Sequence, residues 1–146
     1  MRKARRLRSI ASQQGVLQHR LLALAVGAAF SASVFANPSG QSVAAGSADF
    51  AVSGNTLNVT NTPGAIINWQ QFSIGKDEIT RFIQQHAGSA VLNRVVGQDP
   101  TAILGQLLSN GRVFLINPSG IAFGKGAVID VAGFAASTLN ITDADF

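Results

Sequence analysis

"RVFLINPSGIAFGKGAVIDVAGF", Arg112 to Phe134, decides how this chain folds. Its apolar runs are short: "RVFLI" stops at Asn-Pro-Ser-Gly, "IAF" stops at Gly-Lys-Gly, and "AVIDVAGF" follows. Runs of this kind, rich in Val, Ile and Phe and bounded by turn residues, are strands. The tetrapeptide Asn117 to Gly120 satisfies a type I β-turn at every position: Asn at i, Pro fixing φ at i+1, Ser at i+2 and Gly at i+3. In "RVFLI" the apolar residues fall on both faces of the strand. A half-solvated strand alternates apolar with polar, so this one is covered on both sides.

The same grammar extends upstream. "ADFAV", "TLNVT", "AIINW", "FSI", "ITRFI", "AVLNRVV" and "AILGQLL" are separated by "SGN", "NTPG", "GKDE", "GQDP" and "SNG". The chain is therefore read as all-β. Only "PTAILGQLL" has room for a helical turn or two, and Gly105 in its middle opposes a long helix. Stacked coils of a β-helix, with some faces covered by extra hairpins, account for strands that are apolar on both sides. Periodicity leaves a small sandwich or barrel open, because no strict repeat is visible.

Charge is unevenly placed. Arg2, Lys3, Arg5, Arg6, Arg8 and Arg20 precede the apolar run "LLALAVGAAF", and "SASVFA" leads from it to Ala36. A basic stretch, a short apolar run and a small-residue exit form a secretory signal peptide, residues 1–36. Ten apolar residues are about half of the ~20 that a spanning helix needs. Cleavage is placed after Ala36, with Ala32 as second choice; the long basic region fits an extended signal or an early start codon.

The remaining 37–146 segment holds Lys76, Arg81, Arg94, Arg112 and Lys125 against Asp49, Asp77, Glu78, Asp99, Asp130, Asp143 and Asp145, so 5 − 7 leaves −2. The leader's six basic residues turn that −2 into the whole chain's +4, so without the leader nucleic-acid binding loses its electrostatic basis. The segment has no cysteine. Either its core suffices without disulfides, or the chain has to stay unfolded in an oxidising compartment before a narrow passage.

No catalytic set assembles from these residues. His19 lies in the leader and His86 in the polar loop "QQHAGS", which leaves no histidine pair for a metal or a triad and calls for no cofactor. Asp77 and Glu78 are neighbours that point apart in a strand or turn. "GIAFGKG" lacks both the spacing and the Ser or Thr of a phosphate loop. Trp69 and Phe72 are read as core. Asn93 and Arg94 interrupt an apolar strand, so Asn93 needs polar partners between strands and Arg94 a carboxylate.

Taken together, "INWQQFSIG", "VLNRVVG" and "ILGQLLSNGRVFLINPSGIAFGKGAVIDVAGFAAST" resemble the haemagglutination-activity, or two-partner secretion, domain. That domain opens filamentous-haemagglutinin-like adhesins and contact-dependent inhibition exoproteins. The resemblance covers residues 41–146 and is strongest over 110–138. "NPSG" occurs at Asn37 to Gly40 as well, but only the second copy matches the family's Asn-Pro-Asn-Gly motif. Ser119 replaces the usual Asn, and the Asn-Pro-Asn-Leu motif of some members is absent. The first copy is expected only to turn the chain.

The resemblance implies a right-handed parallel β-helix with additional β elements capping its N-terminal end. It implies export by the Sec machinery, then delivery to an outer-membrane β-barrel transporter with POTRA domains. Folding would begin at the cell surface, and a passenger beyond this domain would meet the host surface. Asn117, Pro118, Ser119, Gly120 and Ile121 would serve transporter recognition or fold nucleation. The final "NITDADF" shows no cap, which fits a fragment, a truncated frame or the head of a longer exoprotein. Two other readings are an adhesin module that binds host carbohydrate or protein directly, which wants exposed aromatic ladders, and a β-helix enzyme, which wants clustered carboxylates.

Overall fold

The computed structural model describes residues 37–146. The expected leader and its cleavage after Ala36 lie outside the described residues. Twelve strands are seen among them: β1 (Ser42–Ala45), β2 (Ala48–Ser53), β3 (Thr56–Asn61), β4 (Ala65–Trp69), β5 (Ile79–Ile83), β6 (Ala90–Val95), β7 (Thr101–Ile103), β8 (Gln106–Ser109), β9 (Arg112–Ile116), β10 (Ile121–Phe123), β11 (Val128–Asp130) and β12 (Gly133–Ser137).

They form a parallel β-solenoid of about four turns. One face runs β1-β4-β6-β9-β12, a second runs β11-β8-β5-β3-β2, and a third pairs β10 with β7. An isolated bridge from Ile74 to Ile103 extends the third face into the first coil. Coil 1 is β3, β4 and Ile74; coil 2 is β5, β6 and β7; coil 3 is β8, β9 and β10; coil 4 begins with β11 and β12. All pairs between coils are parallel. Among the strand pairs only β1 on β4 and β2 on β3 are antiparallel, and β1 and β2 close the N-terminal end. Sandwich and barrel are thereby excluded.

Why the repeat escapes the eye follows from the register. Thr56 pairs with Ile79, Ile79 with Gln106 and Gln106 with Val128, so successive coils advance by 23, 27 and 22 residues. The corners vary in length while the strands stay in step.

Inside the bore, rows of equivalent residues stack. Ala65, Val91, Val113 and Phe134 form one row, and Leu57, Thr80, Leu107 and Ile129 another. Trp69 is fully buried, with Phe50 and Phe72 edge-on at 5.7 and 5.6 Å. Each large side chain so buried contributes roughly 1.5–3 kcal/mol. The polar rows are stitched: the Gln84 amide donates to Asn110 Oδ1 (2.7 Å), and Asn110 Nδ2 returns to the Gln84 carbonyl (2.6 Å). That exchange copies a strand ladder at a corner where the backbone has left the sheet.

"PTAILGQLL" does not use its room for a helical turn and follows the β pattern instead. It is split into β7 and β8 by a corner at Leu104–Gly105. A Cβ on Gly105 would collide with the carbonyl oxygens of Gly75 and Glu78 in the coil below. The close approach of two coils, rather than helix propensity, decides this segment.

Candidate functional site

The second NPSG leaves β9 at the corner between the first and third faces. The Gly120 amide donates to the Asn117 carbonyl (3.1 Å), closing the turn. No described non-glycine residue has positive φ, which rules out the type II form for Ser119 and leaves type I. Gly120 itself sits at φ +117°, a region costly for any side chain.

Asn117 is 0% exposed and joins three coils. Its Nδ2 donates to the Asp99 carbonyl (3.0 Å) and to Thr101 Oγ1 (2.9 Å), both in coil 2. Its Oδ1 accepts from the Ser119 amide (2.9 Å), within coil 3. Its backbone amide donates to Ser137 of coil 4 (3.0 Å). Both amide hydrogens and the side-chain oxygen are therefore engaged, a set that Asp could not reproduce because it has no donor. The Thr101 amide also donates to the Gly120 carbonyl (3.0 Å).

The neighbours divide by exposure. Pro118 and Ser119 are exposed, Gly120 and Ile121 are half-buried, and Ile121 packs on the core cluster. Where the family resemblance replaces Asn by Ser119, the position faces solvent. What the turn offers to a partner is thus Pro118 and Ser119, while Asn117 is committed to the interior.

Asn93 and Arg94 lie one coil below and point in opposite directions. Asn93 is buried in the bore, accepts from Trp69 Nε1 (2.9 Å) and donates to the Phe114 carbonyl (3.3 Å). Arg94 points outward and pairs with Asp143 (2.7 Å). Trp69 and Phe72 lie in the core, remote in role from the NPSG turn. His86 is exposed, and its Nδ1 accepts from the Gly88 amide (3.1 Å). Glu78 Oε2 accepts from the Gly75 amide (2.8 Å), which binds it to its own corner.

Sequence reasoning passed over Thr101, Gln84 and Asn110. The first is the buried partner of Asn117, and the others carry the corner ladder. "SNG" read as a turn, and nothing in it shows that its Asn pairs with a Gln 26 residues away. A polar, β-branched Thr directly after "GQDP" was the one available hint.

Fold and turn together define a β-solenoid module whose coils are pinned by a buried asparagine and whose N-terminal end is closed by antiparallel strands. Residues 34–146 match the TPS secretion domain family, and the chain belongs to it. The chain is similar to a heme/hemopexin-binding protein of Haemophilus influenzae, with 39% identity over 105 residues. That match takes in 71% of this chain and 12% of the relative. A second heme/hemopexin-binding protein of Haemophilus influenzae is 39% identical over 77 residues, 53% of this chain and 8% of its own length. The HMW1 secretion domain of Haemophilus influenzae, a crystal structure, superposes with a TM-score of 0.74 at 45% identity. It takes in 75% of this chain and 29% of that one.

Proposed function

We propose that residues 37–146 address the exoprotein that carries them to a dedicated two-partner transporter in the outer membrane, and that β-helix folding starts here at the cell surface. Membership of the secretion-domain family across residues 34–146 carries this reading. The precursor leaves the cytoplasm by the Sec machinery, loses its leader after Ala36, and reaches the POTRA domains of the transporter barrel unfolded. A folded domain of this size gains ~5–15 kcal/mol over its unfolded chain, so folding outside biases movement outward without a nucleotide. The exoprotein is of the adhesin or contact-dependent inhibition type, and its passenger meets the host surface. Heme/hemopexin binding belongs to the relatives, of which this chain spans 12% and 8%.

Within the motif the work divides by residue. Burial of Asn117 supports a folding role for it, and the exposure of Pro118 and Ser119 supports recognition through them. The test is release of the epitope-tagged chain from a diderm bacterium with and without the cognate transporter. Transporter-dependent appearance in the medium, reduced by Asn117→Ala, is expected. Equal release without the transporter would overturn the proposal.

A further inference from the structure

After β12, residues 138–146 leave the bore. Ser137 Oγ accepts from the Leu139 amide (3.0 Å), and residues 139–146 run back across the outer side of the first face. This segment ends in a short 3-10 turn, Asp143–Asp145, closed by Thr142 Oγ1 on Asp145 Oδ2 (2.6 Å). "NITDADF" therefore covers a lateral face of the solenoid.

Its seat is built from three coils. Ile141 and Phe146, together with Ala45 of β1 and Phe114 of β9, pack against one buried cluster made of Ile66 of coil 1, Leu92 of coil 2 and Ile116 of coil 3. The Phe146 ring stands edge-on to Phe114 at 5.3 Å. Arg94 of coil 2 gathers the polar half: Nε donates to Asn140 (3.0 Å), Nη2 to the Ile141 carbonyl (2.8 Å), and Nη1 to Asp143 (2.7 Å). Nη1 also reaches Asn68 of coil 1 (3.4 Å). This seat explains why "AIINW" and "RVFLI" are apolar on both sides: one set of residues fills the bore and the other receives the strap.

We infer that residues 139–146 form a latch that ties coils 1, 2 and 3 into a single unfolding unit. In a solenoid each coil contacts the coil before and the coil after, so stability is a sum of neighbour terms and the array frays from an end. The strap breaks that rule, because it follows coil 4 yet packs on a cluster that includes Ile66 of coil 1, and Arg94, which holds it, also reaches Asn68 of coil 1. Its seat exists only when β4, β6 and β9 lie side by side. Without the strap, Ile66, Leu92 and Ile116 keep only Ala45 and Phe114 as cover, and the Arg94 guanidinium keeps only Asn68. For a chain that emerges from its N-terminal end, coils 1–3 would form reversibly and be locked when the segment up to Phe146 folds back. The exposed side of the ion pair, Asp143 at 55%, makes the charge contact the weaker half and the apolar contacts the stronger.

Hydrogen exchange on the full chain tests this, and it needs no transporter, so its failure and failure of the secretion reading are distinguishable. Phe146→Ala is compared with Ile129→Ala, a coil 4 substitution in the bore. With Phe146→Ala, amides of β3 and β4 in coil 1 are expected to lose protection by about tenfold, together with those of β9. Ile129→Ala is expected to lower protection in coils 3 and 4 and spare coil 1. Arg94→Met, which removes the polar half, should affect the same amides as Phe146→Ala. Loss confined to β9, β12 and the strap, or no loss at all, would reduce the strap to a local cover. Loss in coil 1 from Ile129→Ala as large as from Phe146→Ala would show that cooperativity has another source. Either result overturns the inference.

Discussion

Two copies of Asn-Pro-Ser-Gly in one chain take different conformations and turn opposite residues inward. At 117–120 the Asn is buried, the Pro is exposed, and the turn closes through the Gly120 amide on the Asn117 carbonyl (3.1 Å). At 37–40 the Pro is buried and the Asn half-buried, and no such bond forms. Ser39 pairs antiparallel with Gln71 instead, and its amide donates to the Gln71 carbonyl (3.0 Å). Asn37 reaches sideways, with Nδ2 on the Asn55 carbonyl (3.0 Å) and Oδ1 accepting from Thr80 Oγ1 (3.0 Å). The first copy bends the chain, as expected, but is held by this pairing rather than by a closed turn of its own. Local preference is the same in both copies, and the contacts with neighbouring strands outweigh it in one.

If that account is right, substitutions at equivalent positions should differ in size. The largest effect is expected from Asn117→Asp, which keeps the shape and replaces two donors by acceptors facing the Asp99 carbonyl and Thr101. A loss of about 3–4 kcal/mol in urea unfolding at neutral pH is expected, because a charge is buried with its second oxygen against the Asp99 carbonyl oxygen, and the Ser119 amide alone does not offset its desolvation. Asn117→Ala should follow at about 2–3 kcal/mol, against about 1 kcal/mol for Asn37→Ala, which is itself half-buried and spends its donor on the exposed Asn55 carbonyl, although its acceptor serves the buried Thr80 hydroxyl. Equal losses at the two positions would break the comparison.

Gly120→Ala should cost about 1–2 kcal/mol from backbone strain alone, since φ is +117° and the nearest atom to a Cβ, on Pro100, is 3.9 Å away. A thermal melt on this variant separates strain from collision. The smallest effect belongs to Ser119→Asn, expected to shift stability by less than about 0.5 kcal/mol because the position is exposed. Its transporter-dependent release is the informative measurement: altered release at unchanged stability would assign recognition to the outer face of the turn.

Much of the solenoid was legible because its strands are short, β-branched and stopped by turn residues. The doubly apolar runs "AIINW" and "RVFLI" correctly demanded cover on both sides. What covers them was not legible. Arg94 and Asp143 are 49 residues apart in the chain, and "NITDADF" has no periodicity that marks it as a strap. The site was legible only as a turn. Its asparagine gives no sign in sequence of pointing inward, because its partners at Asp99 and Thr101 lie in another coil.

Sequence alone determined the class of element, the places where the chain must turn, the paired faces of the central strands and the resemblance that points to secretion. These are local properties, written in runs of a few residues and in the φ limits of Pro and Gly. Tertiary structure decided the coil register, the splitting of "PTAILGQLL" at Gly105, the different fates of the two NPSG copies and the seat of the final strap. Each of these rests on hydrogen bonds or packing between segments 16 or more residues apart. Such contacts are set by which atoms are left unpaired when the coils stack, and no local preference encodes that.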